Sequence, residues 1–506
     1  MPDFVPTPAA GSGDLPSSGG IVRPRFRIFV STFSLFISNI FIAGLGALAL
    51  RLMTHRLGPD AYGIFVTAGT YVATWEILTD LGVNALAGRE IARTPDEAGN
   101  ILAFNLGLRL SLSMVLIPIA WVVGDLVYKT SPSDVRIGIL IVALSVPFDA
   151  LRAVSLAYYV GSISNHWVAG INLLQQIFWV AGLATALTIG AGVRGCLVAY
   201  LASIVALSAV AYSLVNRRVR FRPRFALGRW MGIIRQSISI GVIQIVNLVY
   251  LRADIILLSV MTSVYQVAIY GVAYAIIGFV LFISSAFMTS VLPLMTRSHA
   301  DELKPVVEWA VSYMASISCL FAAGIICVGA PVIHLLAGNK YASSASPLSI
   351  LGISLIFSAL NNVLGFACFS RNRHHKLLYV SIAALILNVA LNLVAIPRWG
   401  VNGSAGATVI SEVFALAGNY AVFRYGVGVR IAIVRSLMRP CLAGAIAAAV
   451  FRVLLWSPRA GAPETLLLGT GVTTLYVAVL AILGGLPPDL LAFYRRALHA
   501  LVERER

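Results

Sequence analysis

The 506-residue chain is 59% hydrophobic and 11% charged, with a mean hydropathy of +0.89, whereas soluble domains run at about 45–50% apolar and about 25% charged, so a soluble globular fold is excluded. Its net charge of +17 would suit nucleic acid in a soluble protein, but in a membrane chain surplus arginine marks the cytoplasmic loops, and no nucleic-acid partner is expected. The five cysteines, Cys196, Cys319, Cys327, Cys368 and Cys441, have neither CxxC nor Cys/His spacing, which excludes a disulfide framework and a zinc site.

In chain order, residues 1–27 open with "PTPAAGSGDLPSSGG" and carry no basic stretch before an apolar run, the pattern of a disordered cytoplasmic tail and not of a cleaved signal. A spanning helix needs roughly 20 mostly apolar residues. Fourteen such segments are predicted, at 28–50, 61–86, 101–123, 137–160, 167–190, 195–215, 236–260, 265–291, 305–328, 346–369, 375–396, 401–423, 431–456 and 464–486. None alternates with the period of 2 that a barrel strand needs, so the expected fold is an all-α integral membrane bundle.

The bundle is internally repeated. "MTHRLGPDAYG" at 53–63 and "MTSVYQVAIYG" at 261–271 share Met-Thr and Tyr-Gly at an offset of 208 residues. The same shift superimposes "GVRG" at 192–195 on "GVNG" at 400–403, Arg89 on Arg297 and Tyr212 on Tyr420. Each unit holds six predicted spans, an even number, so the copies share one orientation and are related by an axis along the membrane normal. This predicts an N-lobe at 28–216, a basic cytoplasmic linker at 217–235 and a C-lobe at 236–424. Two more helices follow at 425–486, then an amphipathic cytoplasmic segment at 487–506 containing "LLAFYRRALHALVERER". Alternate connections hold 25 Lys and Arg on one side and 8 on the other, which places both termini in the cytoplasm.

No enzyme is expected: Ser/His/Asp spacing is absent, His374-His375 sits in a connection, and there is no GxxxxGK[ST] for ATP. Secondary transport through a void between the lobes remains. Ionisable residues inside spans are costly and point to function. Glu76 and Asp80 lie one turn apart, so they either couple as a proton or sodium site or leave Asp80 to serve a helix end. Asp149 and Arg152, three apart, can neutralise one another. Arg252 and Asp254, two apart, face different sides and each needs a partner elsewhere. Arg109 has no carboxylate at helical spacing; its guanidinium suits a diphosphate, or a partner carboxylate such as Glu76. Glu412 reads as an acceptor within its lobe. Polar residues of the spans that could face a sugar include Asn39, Gln244, Asn247 and Tyr274.

Several stretches, "RLGPDAYGIF" (56–65), "DLGVNALAGREIAR" (80–93), "YLRADIILLS" (250–259), "LLAGNKYASSASPLSIL" (335–351) and "ILNVALNLVAIPRWGVNGSAGATVISE" (386–412), resemble the multidrug/oligosaccharidyl-lipid/polysaccharide (MOP) exporters, and within them the Wzx-like polysaccharide flippases. The connection "MTSVYQVAIYG" departs from the family in lacking a turn glycine. The resemblance implies a two-lobed, fourteen-helix flippase of a bacterial-type cytoplasmic (inner) membrane. It would move a polyprenyl-diphosphate-linked oligosaccharide to the outer leaflet by alternating access, among membrane lipids and the glycosyltransferases or polymerase of its pathway. By position, Asp80, Arg89, Arg252 and Asp254 match the family pattern. The predicted substrate residues are Arg109, Arg152, Arg252, Asn39, Gln244 and Asn247; the predicted ion-coupling residues are Glu76, Asp80, Asp149 and Asp254. No cofactor is expected beyond a coupling ion, H+ or Na+. Two rivals are a cation-coupled drug antiporter of the same superfamily, which needs a more acidic cavity, and a non-transporting scaffold that uses the basic linker to hold glycosyltransferases.

Overall fold

A computed structural model describes residues 19–371, 373–454 and 461–485, and among them the chain is helical without a strand. The helices are α1 (Gly19–Leu57), α2 (Pro59–Asp80), α3 (Val83–Arg93), α4 (Ala98–Val127), α5 (Ser133–Ala143), α6 (Val146–Gly161), α7 (Asn165–Thr188), α8 (Gly192–Asn216), α9 (Leu227–Met261), α10 (Val264–Arg297), α11 (Ala300–Ala337), α12 (Ala345–Ser370), α13 (His374–Val422), α14 (Ile433–Leu454) and α15 (Ala462–Ile482).

Among the described residues twelve stretches are long and apolar enough to cross a bilayer, and two features raise the crossings to the fourteen expected. The first is α13. At 1.5 Å per residue, Asn392 and Thr408 would lie about 24 Å apart in a straight helix, yet both hydrogen-bond the carboxylate of Asp254, at 2.9 and 2.5 Å. The chain therefore doubles back between them, at Gly400, whose φ of 56° is left-handed. Its counterpart one repeat earlier, Gly192, also has a positive φ, 62°. Any L side chain resists that conformation, so the paired glycines mark one turn used twice. The second feature is α2, which misses the apolarity threshold because it carries Thr67, Thr70, Thr74, Glu76 and Thr79. It packs on α4, α5, α9 and α10, and a helix shielded by protein needs no apolar lipid face.

The repeat extends to the ends of the lobes. Tyr212 donates to the Phe221 carbonyl at 3.0 Å and Tyr420 to the Ile431 carbonyl at 3.1 Å. In each lobe a tyrosine of the sixth crossing thus ties down the chain that leaves it.

Several boundaries differ from those predicted. Residues 19–27, expected in the tail, belong to α1. The second span stops at Asp80, where Leu81 and Gly82 take φ of 46° and 76°. The chain then runs as α3, which buries Val83, Leu86, Ala87 and Ile91 and leaves Arg89 exposed. At Leu144 and Ser145 the fourth span breaks into α5 and α6. The linker is short, because α9 already begins at Leu227. At the turn lacking glycine, the Ser263 hydroxyl accepts from the Gln266 amide, capping α10 without a left-handed residue. The segment 487–506 lies outside the described residues.

The cores show how the lobes meet. At the arginine-poor end one apolar cluster joins both lobes, with Ala49, Met53, Tyr62 and Leu183 packed among Leu258, Tyr270, Ile333, Tyr341 and Leu348. At the arginine-rich end the cores are separate. One, from the N-lobe, centres on Leu102, Leu106, Val154 and Leu207; the other, from the C-lobe, on Met295, Val307, Val311, Leu360 and Leu364. The seam at the arginine-poor end is also polar: Tyr128 and Ser259 hydroxyls lie 2.8 Å apart, Thr54 donates to the Leu336 carbonyl at 3.2 Å, and the Arg51 guanidinium donates to the Leu335 carbonyl. Gly63 sits so close to the Val264 carbonyl that a Cβ would overlap it. At the other end the start of α9 still touches the N-lobe, with Gly241 and Ser237 against Leu81 and Gly82.

Candidate functional site

In the N-lobe the charged side chains of three helices converge, with an amide from a fourth. Arg109, 2% exposed on α4, places Nη1 3.4 Å from Asp80 Oδ1 and Nη2 3.4 Å from Thr79 Oγ1. From α6, Arg152 donates through Nε (2.9 Å) and Nη2 (2.5 Å) to Asp149 Oδ1, and through Nη1 (2.8 Å) to Asn172 Oδ1 on α7. Glu76 on α2 brings its carboxyl into the same site, beside Asp149 and within reach of the Arg109 and Arg152 charges. Asp80 pairs with Arg109 and Asp149 with Arg152, and Glu76 stands beside the second pair. That satisfies the rule that charge buried in a membrane protein is paired.

This changes several predicted partnerships. The carboxyl beside Glu76 is Asp149, although Glu76 and Asp80 share a helix face, because Asp80 is drawn to Arg109. The partner of Arg109 is Asp80, not Glu76. The Asp149 and Arg152 pair forms as the spacing predicts. Arg152 spends its donors on Asp149 and Asn172, and Arg109 keeps Nε and Nη1 without a hydrogen bond.

The C-lobe holds a different arrangement, two buried carboxyls met by neutral donors. Asp254 on α9 receives Asn392 Nδ2 at 2.9 Å on Oδ1, and Tyr270 OH at 2.9 Å and Thr408 Oγ1 at 2.5 Å on Oδ2. Asn388 joins through Asn392, and the Asn392 Oδ1 and Ser404 Oγ oxygens stay unpartnered. Glu412, one turn beyond Thr408, accepts from Tyr250 OH (3.2 Å) and Asn361 Nδ2 (2.7 Å), the lobe-internal acceptor expected. The Asp254 carboxyl is thus met by one amide and two hydroxyl donors, and nearby two oxygens, Asn392 Oδ1 and Ser404 Oγ, keep free lone pairs.

Arg252 sits between the two networks. It is half-buried, and among the described residues it makes no ion pair or hydrogen bond. Its charge reaches Tyr200 of α8, beside Glu76, Asp149 and Arg152, and Tyr274 of α10, beside Asp254 and Glu412. Asn247, one helical turn and a fraction away on α9, is exposed, while Gln244 is half-buried with Oε1 unpartnered. Asn39 is half-buried on α1, apart from both networks. The polar residues that sequence reasoning missed are Asn388, Asn392, Thr408, Tyr270 and Tyr200. Asn388 and Asn392 carried a signal, two amides at i and i+4 in an otherwise apolar helix.

Beside the C-lobe an apolar cavity of about 700 Å³ opens between α10, α11, α12 and α15, lined by Ile276, Phe279, Phe321, Val328, Leu348 and Leu466 with Thr470, Thr473 and Thr474.

Two repeated six-crossing lobes, sharing one core at one end and holding intramembrane polar networks, define a multi-pass helical membrane protein. The chain belongs to the polysaccharide biosynthesis protein family, whose model matches residues 28–299. A Haloferax volcanii protein, "Probable low-salt glycan biosynthesis flippase Agl15", is 21% identical over 388 residues, 75% of this chain and 80% of its own. Among solved structures, "Lipid II flippase MurJ, inward closed conformation" is similar with a TM-score of 0.77 at 13% identity, covering 92% of this chain and 99% of that one. An inward-facing multidrug resistance MATE family transporter of the MOP superfamily reaches 0.62 at 16% identity, over 82% and 96%.

Proposed function

We propose that the protein is a flippase that carries a polyprenyl-diphosphate-linked oligosaccharide from the cytoplasmic to the outer leaflet of the cell membrane, by alternating access and coupled to a cation gradient. Family membership and the likeness to flippases support the lipid-linked cargo. The observation that carries the reading is Arg252, a guanidinium between the two polar networks that makes no ion pair or hydrogen bond among the described residues. A diphosphate completes it with bidentate hydrogen bonds. Arg109, with donors to spare, is the second candidate, and Arg152 holds the N-lobe network in place. The apolar cavity beside α15 suits part of a prenyl chain, and Asn247 and Gln244 suit the sugar.

The arginine bias supports a cytoplasmic arginine-rich end. The shared core then closes the outer side, while toward the cytoplasm, where the lipid-linked sugar is loaded, the cores are separate and the lobes meet through α9. The Asp254 cage is the candidate Na+ or H+ site, and Glu76 beside Asp149 is a second candidate coupling element. The test is reconstitution in liposomes with a fluorescent polyprenyl-diphosphate oligosaccharide. Transfer to the opposite leaflet is expected, slowed in Arg252→Ala; cationic dye transport without lipid-linked sugar transfer supports a drug antiporter, and transport of neither supports a scaffold.

A further inference from the structure

The segment joining the lobes is strapped onto the arginine-rich end of α4. The Arg224 amide donates to the Ala103 carbonyl at 2.9 Å, its Nη1 donates to Asn100 Oδ1 at 2.9 Å, and the Phe221 amide donates to Asn216 Oδ1 at 2.9 Å. Phe221 is buried, and its carbonyl accepts from Tyr212. The strap lies so close that a Cβ on Gly107 would overlap the Arg224 carbonyl. Yet strap and helix enclose a cavity of about 710 Å³, whose charged lining is Arg220, Arg222 and Arg224 against Asp96. The guanidiniums of Arg220 and Arg222 make no ion pair or hydrogen bond among the described residues. The cavity is cationic, and the donors of Arg220 and Arg222 are unspent.

Its depth follows from the spans. Asn100 immediately precedes the apolar run of α4 and Asn216 closes that of α8, so the cavity stands where hydrocarbon gives way to headgroups. Next to the arginines, Phe225, Leu227 and Met231 are 63%, 81% and 67% exposed, and the ring of Trp230 packs edge-on to Phe225 at 6.1 Å. Apolar side chains projecting from a basic strap are matched by a lipid surface and not by water. A soluble phosphate compound would use the guanidiniums and leave the apolar flank without a purpose.

We propose that this cavity binds an anionic phospholipid, its phosphate held by Arg220, Arg222 and Arg224 and its acyl chains running past Phe225 and Leu227. The occupied site lies apart from the intramembrane networks. It ties the covalent link between the lobes to the N-lobe.

The experiment titrates the detergent-purified full chain with phosphatidylglycerol and, separately, phosphatidylcholine, following bound lipid by native mass spectrometry. Wild type is expected to bind phosphatidylglycerol about tenfold or more tightly than phosphatidylcholine. Arg220→Gln/Arg222→Gln is expected to lose that preference, and Arg430→Gln/Arg435→Gln, the same charge change elsewhere on that surface, to keep it. All four arginines are exposed, and an unchanged gel-filtration profile verifies folding. Retained preference in the first variant, or equal loss in the second, overturns the proposal. So does displacement of phosphatidylglycerol by equimolar glycerol phosphate, which would make the cavity a site for soluble phosphates.

Discussion

Arg252 and Arg152 are both intramembrane arginines, and their neighbours give them opposite sensitivities. Arg152 is held by three hydrogen bonds to Asp149 and Asn172. Replacing Asp149 by Asn therefore strands a buried cation, and the variant should lose about 3 kcal/mol of stability, the range for breaking one side of a buried pair, seen as a lower unfolding midpoint in detergent. Arg252→Ala strands nothing; its midpoint should stay at the wild-type value while the initial rate of lipid-linked sugar transfer falls about tenfold or more, as for loss of a charge-assisted contact. Asp254→Asn keeps the shape of the cage and removes its charge, so the stimulation of transfer by an imposed Na+ or H+ gradient should vanish while any gradient-independent transfer persists. Pairs on one helix were legible in the sequence, because three- and four-residue spacing places side chains together whatever the surroundings. The partners of Glu76, Asp80 and Arg109 were not, since each comes from another helix.

Among the helices, the α2 and α10 contact carries the closure of the arginine-poor end. It depends on Gly63, whose Cα faces the Val264 carbonyl. Gly63→Leu should hold that end apart: Thr54→Cys, 1% exposed at the same seam, should resist a water-soluble maleimide alone and react with it when combined with Gly63→Leu, with transfer lost. On the other flank, α14 is fastened to α11, and Cys319 and Cys441 bring their sulfurs to 3.6 Å. Mild oxidation should cross-link them without loss of transfer if α14 travels with the C-lobe, as its packing on α11 requires; a block of transfer would show that the two helices separate. Element positions were largely readable, and the misses share a cause. Hydropathy ran the second span through Leu81 and Gly82 into α3 because an amphipathic surface helix is apolar on one side. It had no means of seeing that α2 is sheathed by protein.

Across the whole molecule, the lobes share a core at one end only, and the arginine bias assigns that end to the outside. On a cysteine-free background, Lys340→Cys in intact cells should react with an impermeant maleimide, and Arg220→Cys only after permeabilisation; the reverse pattern would invert the proposed direction of opening. The chain by itself determined what the bilayer and gene-length repetition impose: apolar runs matched to hydrocarbon thickness, fourteen crossings, two like-oriented copies offset by 208 residues, and a lopsided distribution of arginine. These are properties of local stretches, so they survive without knowledge of neighbours. Only the tertiary structure decided which charges cancel, which arginine is left over, and at which end the lobes join. Those outcomes depend on side chains from distant segments, such as Asp254 and Asn392, 138 residues apart, meeting where low dielectric makes every unmatched charge costly.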